Sequence, residues 1–263
     1  MKKDIRQSIS KPMWFTILVI IALGWYFFFA NPWEESSDNS VATPGQQQAI
    51  QSPSSTAAHP TGQVLADETS ARQAFDYYVL ALSWSPNYCY THENQDSQQC
   101  VIGKKLGFVL HGLWPEYEKG YPESCSYEGL DKDIESQFAG LYPSDSLMTH
   151  EWEKHGTCSG LTPREYLSLT KGLLDSLSIP DAYQEPGQSF RRSANQLMSD
   201  FQSVNADLLP SGMTVNCSGS GKYLSEVYIC YSTAGQPTPC GKDVLQQGAK
   251  SCNRSDFLVR NTQ

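Results

Sequence analysis

The chain has 263 residues, 39% of them hydrophobic and 18% charged, with a formal net charge of −9. That balance is globular rather than disordered, and the length allows one large domain or two small ones. Beyond residue 73 there are 14 basic and 22 acidic residues. Such an acidic body argues against broad, charge-driven coating of nucleic acid, though not against a small site that grips one phosphate at a time.

In chain order, Lys2, Lys3, Arg6 and Lys11 precede an apolar run from Trp14 to Ala30, and Glu34, Glu35 and Asp38 follow it. Positive charge before and negative charge after predicts a cytoplasmic basic segment over 1–13 and export of the remainder. The run over 14–30 has the length of a short spanning helix, at the low end of about 17–25 residues. No small-x-small cleavage site follows it, so it reads as an uncleaved transmembrane anchor rather than a removed signal. Residues 31–73 are rich in Ser, Gln, Pro, Ala and Thr and cannot bury enough apolar surface to fold, which predicts a flexible tether. His59 lies in it, solvated.

The folded domain is expected over 74–263. Phe75 to Trp84 is β-prone and dense in aromatics, as a central strand would be. Leu106 to Leu110 reads as a second strand with His111 at its end. Thr162-Pro163-Arg164-Glu165 is a capping box with proline at the first helical position, and Tyr166, Leu169, Thr170, Leu173 and Leu177 follow at helical spacing. Phe190, Ala194, Leu197, Phe201 and Val204 predict another amphipathic helix. Met213 to Cys217 and Lys222 to Tyr231 read as later strands. Strands and helices interleave without a regular βαβ cadence, which predicts an α+β fold with a mainly antiparallel central sheet flanked by helices.

Eight cysteines, none in a Cys-x-x-Cys pair, fit a disulfide framework made in an oxidising compartment. The protein is therefore expected to be exported, periplasmic or otherwise extracytoplasmic, and held at the membrane by its N-terminus.

The chemistry concentrates in two stretches, His111-Gly112-Leu113-Trp114-Pro115 and His150-Glu151-Trp152-Glu153-Lys154-His155-Gly156-Thr157-Cys158. On a helix turning about 100° per residue, His150, Lys154, Glu151 and His155 share one face and Glu153 points away. The bland reading is a solvated polar face, which Trp152 and Cys158 weaken. A zinc site is disfavoured. Metalloproteases space their helical imidazoles four apart, here they are five apart, and the Lys154 ammonium between them would repel a dication. No cofactor loop appears. What remains is general acid–base chemistry, in which His111 and His155 flank a reacting atom while Lys154, Glu151 and His150 steady an anionic transition state.

These residues carry a resemblance. Phe108 to Pro115 and His150 to Cys158 look like the two active-site segments of the ribonuclease T2 family. The likeness extends to Phe75–Trp84 with Pro86, Tyr88 and Cys89, and to Leu224-Ser225-Glu226-Val227 with Cys230. It implies a ribonuclease T2-like fold and an endoribonuclease of low base specificity that cuts single-stranded RNA without metal. The product would be a 2′,3′-cyclic phosphate, hydrolysed more slowly to a 3′-phosphate. By that analogy His155 is the base and His111 the acid, though the sequence alone permits the exchange. Lys154 and Glu151 stabilise the pentacovalent state and His150 holds the phosphate. Trp114 and Tyr121 are candidates for base stacking, with plain packing as the alternative for Trp114, and Glu116 for a hydrogen bond to a base. The family pattern implies the pairings Cys89–Cys100, Cys125–Cys158, Cys217–Cys252 and Cys230–Cys240. Tyr142, Met148 and Thr149 depart from the family's usual residues, which bears only on pocket shape. RNA is the expected partner of a monomer; the competing readings are a non-catalytic envelope protein binding RNA or another ligand, and a phosphodiesterase for other substrates.

Overall fold

Tyr77–Trp84 forms β1, with nearly every side chain buried, because both faces of this central strand are covered. Tyr78, Leu80, Leu82 and Trp84 face the main core, while Tyr77, Val79 and Ala81 face a smaller cluster with Tyr228, Cys230 and Val244. The structure is a computed structural model that describes residues 75–92, 96 and 98–263. The expected basic segment, anchor and tether over 1–73 lie outside the described residues. Among the described residues no helix is long and apolar enough to cross a membrane.

After β1 come α1 (Ser85–His92) and β2 (Phe108–Glu116), then α2 (Lys132–Gln137) and α3 (Asp145–Lys154). A single 3₁₀ turn over Gly156–Cys158 leads to α4 (Pro163–Ser176), which starts on the expected capping box of Thr162 and Glu165. Short β3 (Phe190–Arg192) precedes α5 (Ala194–Val204). The helix predicted to reach back to Phe190 starts later because Ser193 accepts from the Gln196 amide and Gln196 reaches back to the Ser193 amide. Phe190 therefore sits in a strand, and Val204 at the helix end is exposed. The chain ends with β4 (Met213–Ser218), β5 (Tyr223–Ser232), α6 (Lys242–Ser251) and β6 (Phe257–Val259).

The strands form one sheet in the order β2-β1-β5-β6-β3, with β4 paired to the other side of β5. This sheet is mainly antiparallel, as expected, with one parallel pair that makes it mixed. β1–β2, β1–β5, β4–β5 and β3–β6 run antiparallel, but Tyr223 of β5 meets Leu258 of β6 in parallel. The cause is α6, which carries the chain back between β5 and β6 as a crossover, the connection that parallel neighbours require. Gly248 lets α6 lie on the sheet: a Cβ there would come 2.0 Å from Thr214 Oγ1 and 2.9 Å from the Val215 carbonyl.

Four disulfides staple the fold: Cys89–Cys100, Cys125–Cys158, Cys217–Cys252 and Cys230–Cys240.

Candidate active site

β2 is an edge strand, and its pairing with β1 slips by one residue. Ala81 faces Gly112 while Leu82 faces Leu110, so His111 is an extra residue with no partner of its own. This β-bulge lets Leu110 and Leu113 both enter the main core. It also turns His111 out of the ladder towards a cleft, a common use of bulges at reactive sites. The strand does not stop at Leu110, as the sequence predicts; it continues through Gly112, Trp114 and Glu116 on the cleft side.

α3 supplies the second half. Ser144 caps it by accepting from the Leu147 amide, and Met148 and Trp152 bury one side in the core. The other side presents His150, Glu151 and Lys154, and His155 closes the helix at its C-cap. Glu151 reaches across to β2, where its Oε2 accepts from Trp114 Nε1 at 2.6 Å. Gly112 makes room for that carboxylate: a Cβ at this position would lie 2.0 Å from Glu151 Oε2. The Lys154 carbonyl accepts from the Ser124 amide at 2.7 Å, and Cys125–Cys158 ties the same loop to the turn after the helix.

The two imidazoles are placed in opposite electrostatic settings. His111 Nδ1 lies 2.6 Å from Glu226 Oε1, and its Nε2 lies 3.6 Å from Glu151 Oε1. Burial disfavours its charge, but the hydrogen bond and charge of Glu226, with Glu151, outweigh burial and the Lys154 charge and raise its pKa. His155 is buried, its Nδ1 has no hydrogen-bond partner, and its pKa is pushed down to about 3. Burial is the main cause, followed by repulsion from Lys154, His111 and His150. Charging that ring would leave a buried N–H without an acceptor, which adds to the penalty. The two settings thus favour the charged form of one imidazole and the neutral form of the other. Glu151 has a raised pKa, chiefly through burial, so it keeps a proton more readily than a free carboxylic acid.

All eight residues expected at the site line one cleft of ≈ 330 Å³: His111, Trp114, Glu116, Tyr121, His150, Glu151, Lys154 and His155. His150 is exposed at its mouth. The Trp114 ring stands 5.1 Å from the His111 ring and 5.3 Å from the His155 ring, centroid to centroid. It is edge-on to Tyr228 as well, so this indole works as a wedge that spaces the site, closer to the packing reading than to a free stacking face. Tyr121 is half-exposed beside His155, with ring centroids 6.0 Å apart. Glu116 lies deeper, its pKa raised to about 8 by burial and by the charge of Asp243. A second cleft of ≈ 680 Å³ adjoins the first, and His111 and His150 line both. Among the described residues no group of three His, Cys, Asp or Glu side chains is placed to hold a metal ion.

Sequence reasoning held Glu226 within a segment of the family likeness but gave it no role, and it missed Tyr228 and Asp243 as site residues. The visible signal for Glu226 was a lone carboxylate in a run of strand-forming apolar residues, where an unpaired charge is costly. Asp243 comes from α6, which was not foreseen.

The sequence model of the Ribonuclease T2 family matches residues 75–240, and the chain belongs to that family. It is 39% identical to a ribonuclease of Aeromonas hydrophila over 204 residues, covering 72% of this chain and 87% of that one. It is 38% identical to Ribonuclease DdI of Dictyostelium discoideum over 184 residues, covering 62% of this chain and 76% of its relative. An RNase-related protein from Calystegia sepium shares the fold, with a TM-score of 0.56 at 23% identity, over 72% of this chain and 98% of that one.

Proposed function

We propose that this endoribonuclease of the T2 family cuts single-stranded RNA by acid–base transesterification, with His155 as base and His111 as acid. The observation that carries this reading is the opposed tuning of the two imidazoles around one cleft. In the first step His155 takes the proton of the ribose 2′-OH and the 2′-oxygen bonds to phosphorus. The bond from phosphorus to the 5′-oxygen breaks, and His111 gives that oxygen a proton. The products are a 2′,3′-cyclic phosphate and a 5′-hydroxyl. In the slower second step a water oxygen bonds to phosphorus as His111 takes its proton, the bond from phosphorus to the 2′-oxygen breaks as His155 returns a proton to that oxygen, and a 3′-phosphate results. Because RNA brings its own nucleophile, the protein need only move protons and stabilise charge.

Lys154 and the protonated form of Glu151 act on the non-bridging phosphate oxygens, and His150 at the cleft mouth holds the phosphate. The nucleoside bearing the 2′-OH occupies the cleft of His155, and the leaving nucleoside extends past His111 into the second cleft. Tyr121 offers an exposed face for stacking, which tolerates any base. Glu116 as a neutral acid offers one donor and one acceptor. Neither demands a particular base, which supports low specificity. Four disulfides point to an oxidising, extracytoplasmic compartment, and we place the catalytic domain there, anchored through residues 14–30.

The test is incubation of the purified catalytic domain with an RNA oligonucleotide and its DNA counterpart, each with and without chelator. Cleavage of RNA alone, unaffected by chelator and ending in cyclic phosphate, is the expected result. Binding without turnover, or cleavage of both polymers, would overturn it.

A further inference from the structure

We propose that Glu226 is a positioning residue of this reaction: the carboxylate on β5 that anchors His111 through Nδ1 and leaves Nε2 facing the scissile linkage. The proposal rests on the reading of His111 as the acid.

A bulged residue lacks the paired backbone that would fix its side chain direction, so His111 needs a holder from outside its own strand. Glu226 provides it at 2.6 Å. The holder is itself fixed. Ser83 Oγ on β1 donates to Glu226 Oε1 at 3.1 Å, and Tyr228 OH on β5 donates to Oε2 at 2.8 Å. Ser83 and Glu226 are direct cross-strand partners, so sheet register sets the first of these contacts. Side chains from β1, β2 and β5 therefore converge on one carboxylate, which lines the second cleft.

The charged and titratable groups around His111 divide the work. From β5 come Glu226 and, through it, Tyr228. From α3 and its C-cap come Glu151, Lys154, His150 and His155. Among the described residues only Glu226 touches Nδ1, whereas Glu151 lies 3.6 Å from Nε2, on the side open to substrate. Burial alone would raise the pKa of Glu226, but His111, Tyr228 and Ser83 together hold it below the usual range. It stays an acceptor throughout. Nδ1 keeps its hydrogen in both steps, so Nε2 alone gives and takes the proton, and no other bond changes at Glu226.

The experiment compares Glu226→Gln with wild type on two substrates. One is a dinucleoside phosphate, whose 5′-alkoxide must be protonated to leave. The other is uridine 3′-(p-nitrophenyl phosphate), whose phenolate leaves without a proton. The variant is expected to lose about 10²-fold in kcat on the first, within the usual worth of a general acid. On the aryl ester it should stay within about threefold of wild type, because that step needs no acid. KM should hold on both, and the alkaline limb of the pH profile should move to lower pH. His111→Ala, run in parallel, should show the same split, only larger. Equal slowing of both substrates by His111→Ala would remove the acid reading itself. The split in His111→Ala but not in Glu226→Gln would overturn only the role of Glu226. Should Glu226→Gln fail to fold by circular dichroism, Ser83→Ala and Tyr228→Phe serve instead. Each removes one donor that orients the carboxylate and should reproduce the split between the two substrates on a smaller scale, and no split in either would overturn the proposal.

Discussion

His111 sits on a bulged sheet strand with a carboxylate near each ring nitrogen, whereas His155 ends a helix with one ring nitrogen buried and cationic neighbours around it. Identical side chains are thereby biased towards opposite protonation states across a single indole. The strand side uses carboxylates drawn from β5 and α3, so its charge depends on tertiary contacts. The helix side works mainly by excluding water, with local sequence adding Lys154 and His150. An acid built from partners and a base built from burial should fail in different ways.

Removing either ring gives the largest effect. His155→Phe or His111→Phe should lower single-turnover cleavage of RNA by about 10²–10⁴-fold, with the fold intact by circular dichroism. Retention of more than about a hundredth of the rate would argue against the acid–base pair. Lys154→Met comes next, with an expected loss of about 10²–10³-fold from lost charge stabilisation. It also sharpens the comparison through pH. The base must be neutral, so wild-type activity falls as pH drops through about 3. The acid must be charged, so activity falls as pH rises through the raised pKa of His111. The optimum thus lies on the acidic side of neutrality. Lys154 helps to depress His155, so its loss should move the acidic limb to higher pH and leave the alkaline limb at or above its wild-type position.

Gly112→Ala tests the contact that joins the two halves. Its Cβ would press on Glu151 Oε2, which should cost about 1–3 kcal/mol in a thermal melt and reduce kcat more than it raises KM. The smallest effect on chemistry is expected from Cys125→Ala with Cys158→Ala. That pair closes a separation of 33 residues, and its loss should lower stability by about 2–4 kcal/mol while changing the rate only severalfold in the surviving folded protein.

Much of the helix side was legible. Four polar residues fall on one face at helical spacing, although the Ser144 cap that starts the helix was not foreseen. The central strand β1 was legible from its aromatic density. The strand side was less so. Pro115 argues against a strand that continues past His111, because proline lacks a ladder donor; it is tolerated here because β2 lies at the sheet edge. The bulge has no local sequence signature, since it exists only relative to β1. Glu226 is 115 residues from His111, and only the register of β1 with β5 brings it there. α6 was missed because Lys242 to Ser251 has few apolar residues and an internal glycine, and with it went the parallel strand pair.

The unpaired position at 111 also sets the phase of everything after it on β2. Side chains in a strand alternate, so pairing that residue into the ladder, with no bulge to absorb it, would reverse each later residue. Trp114 and Glu116 would turn into the main core and Leu113 out to the cleft. The strand thus carries a spatial reading frame, and holding one amino acid out of the pairing keeps the oily and the reactive halves of the sheet in step.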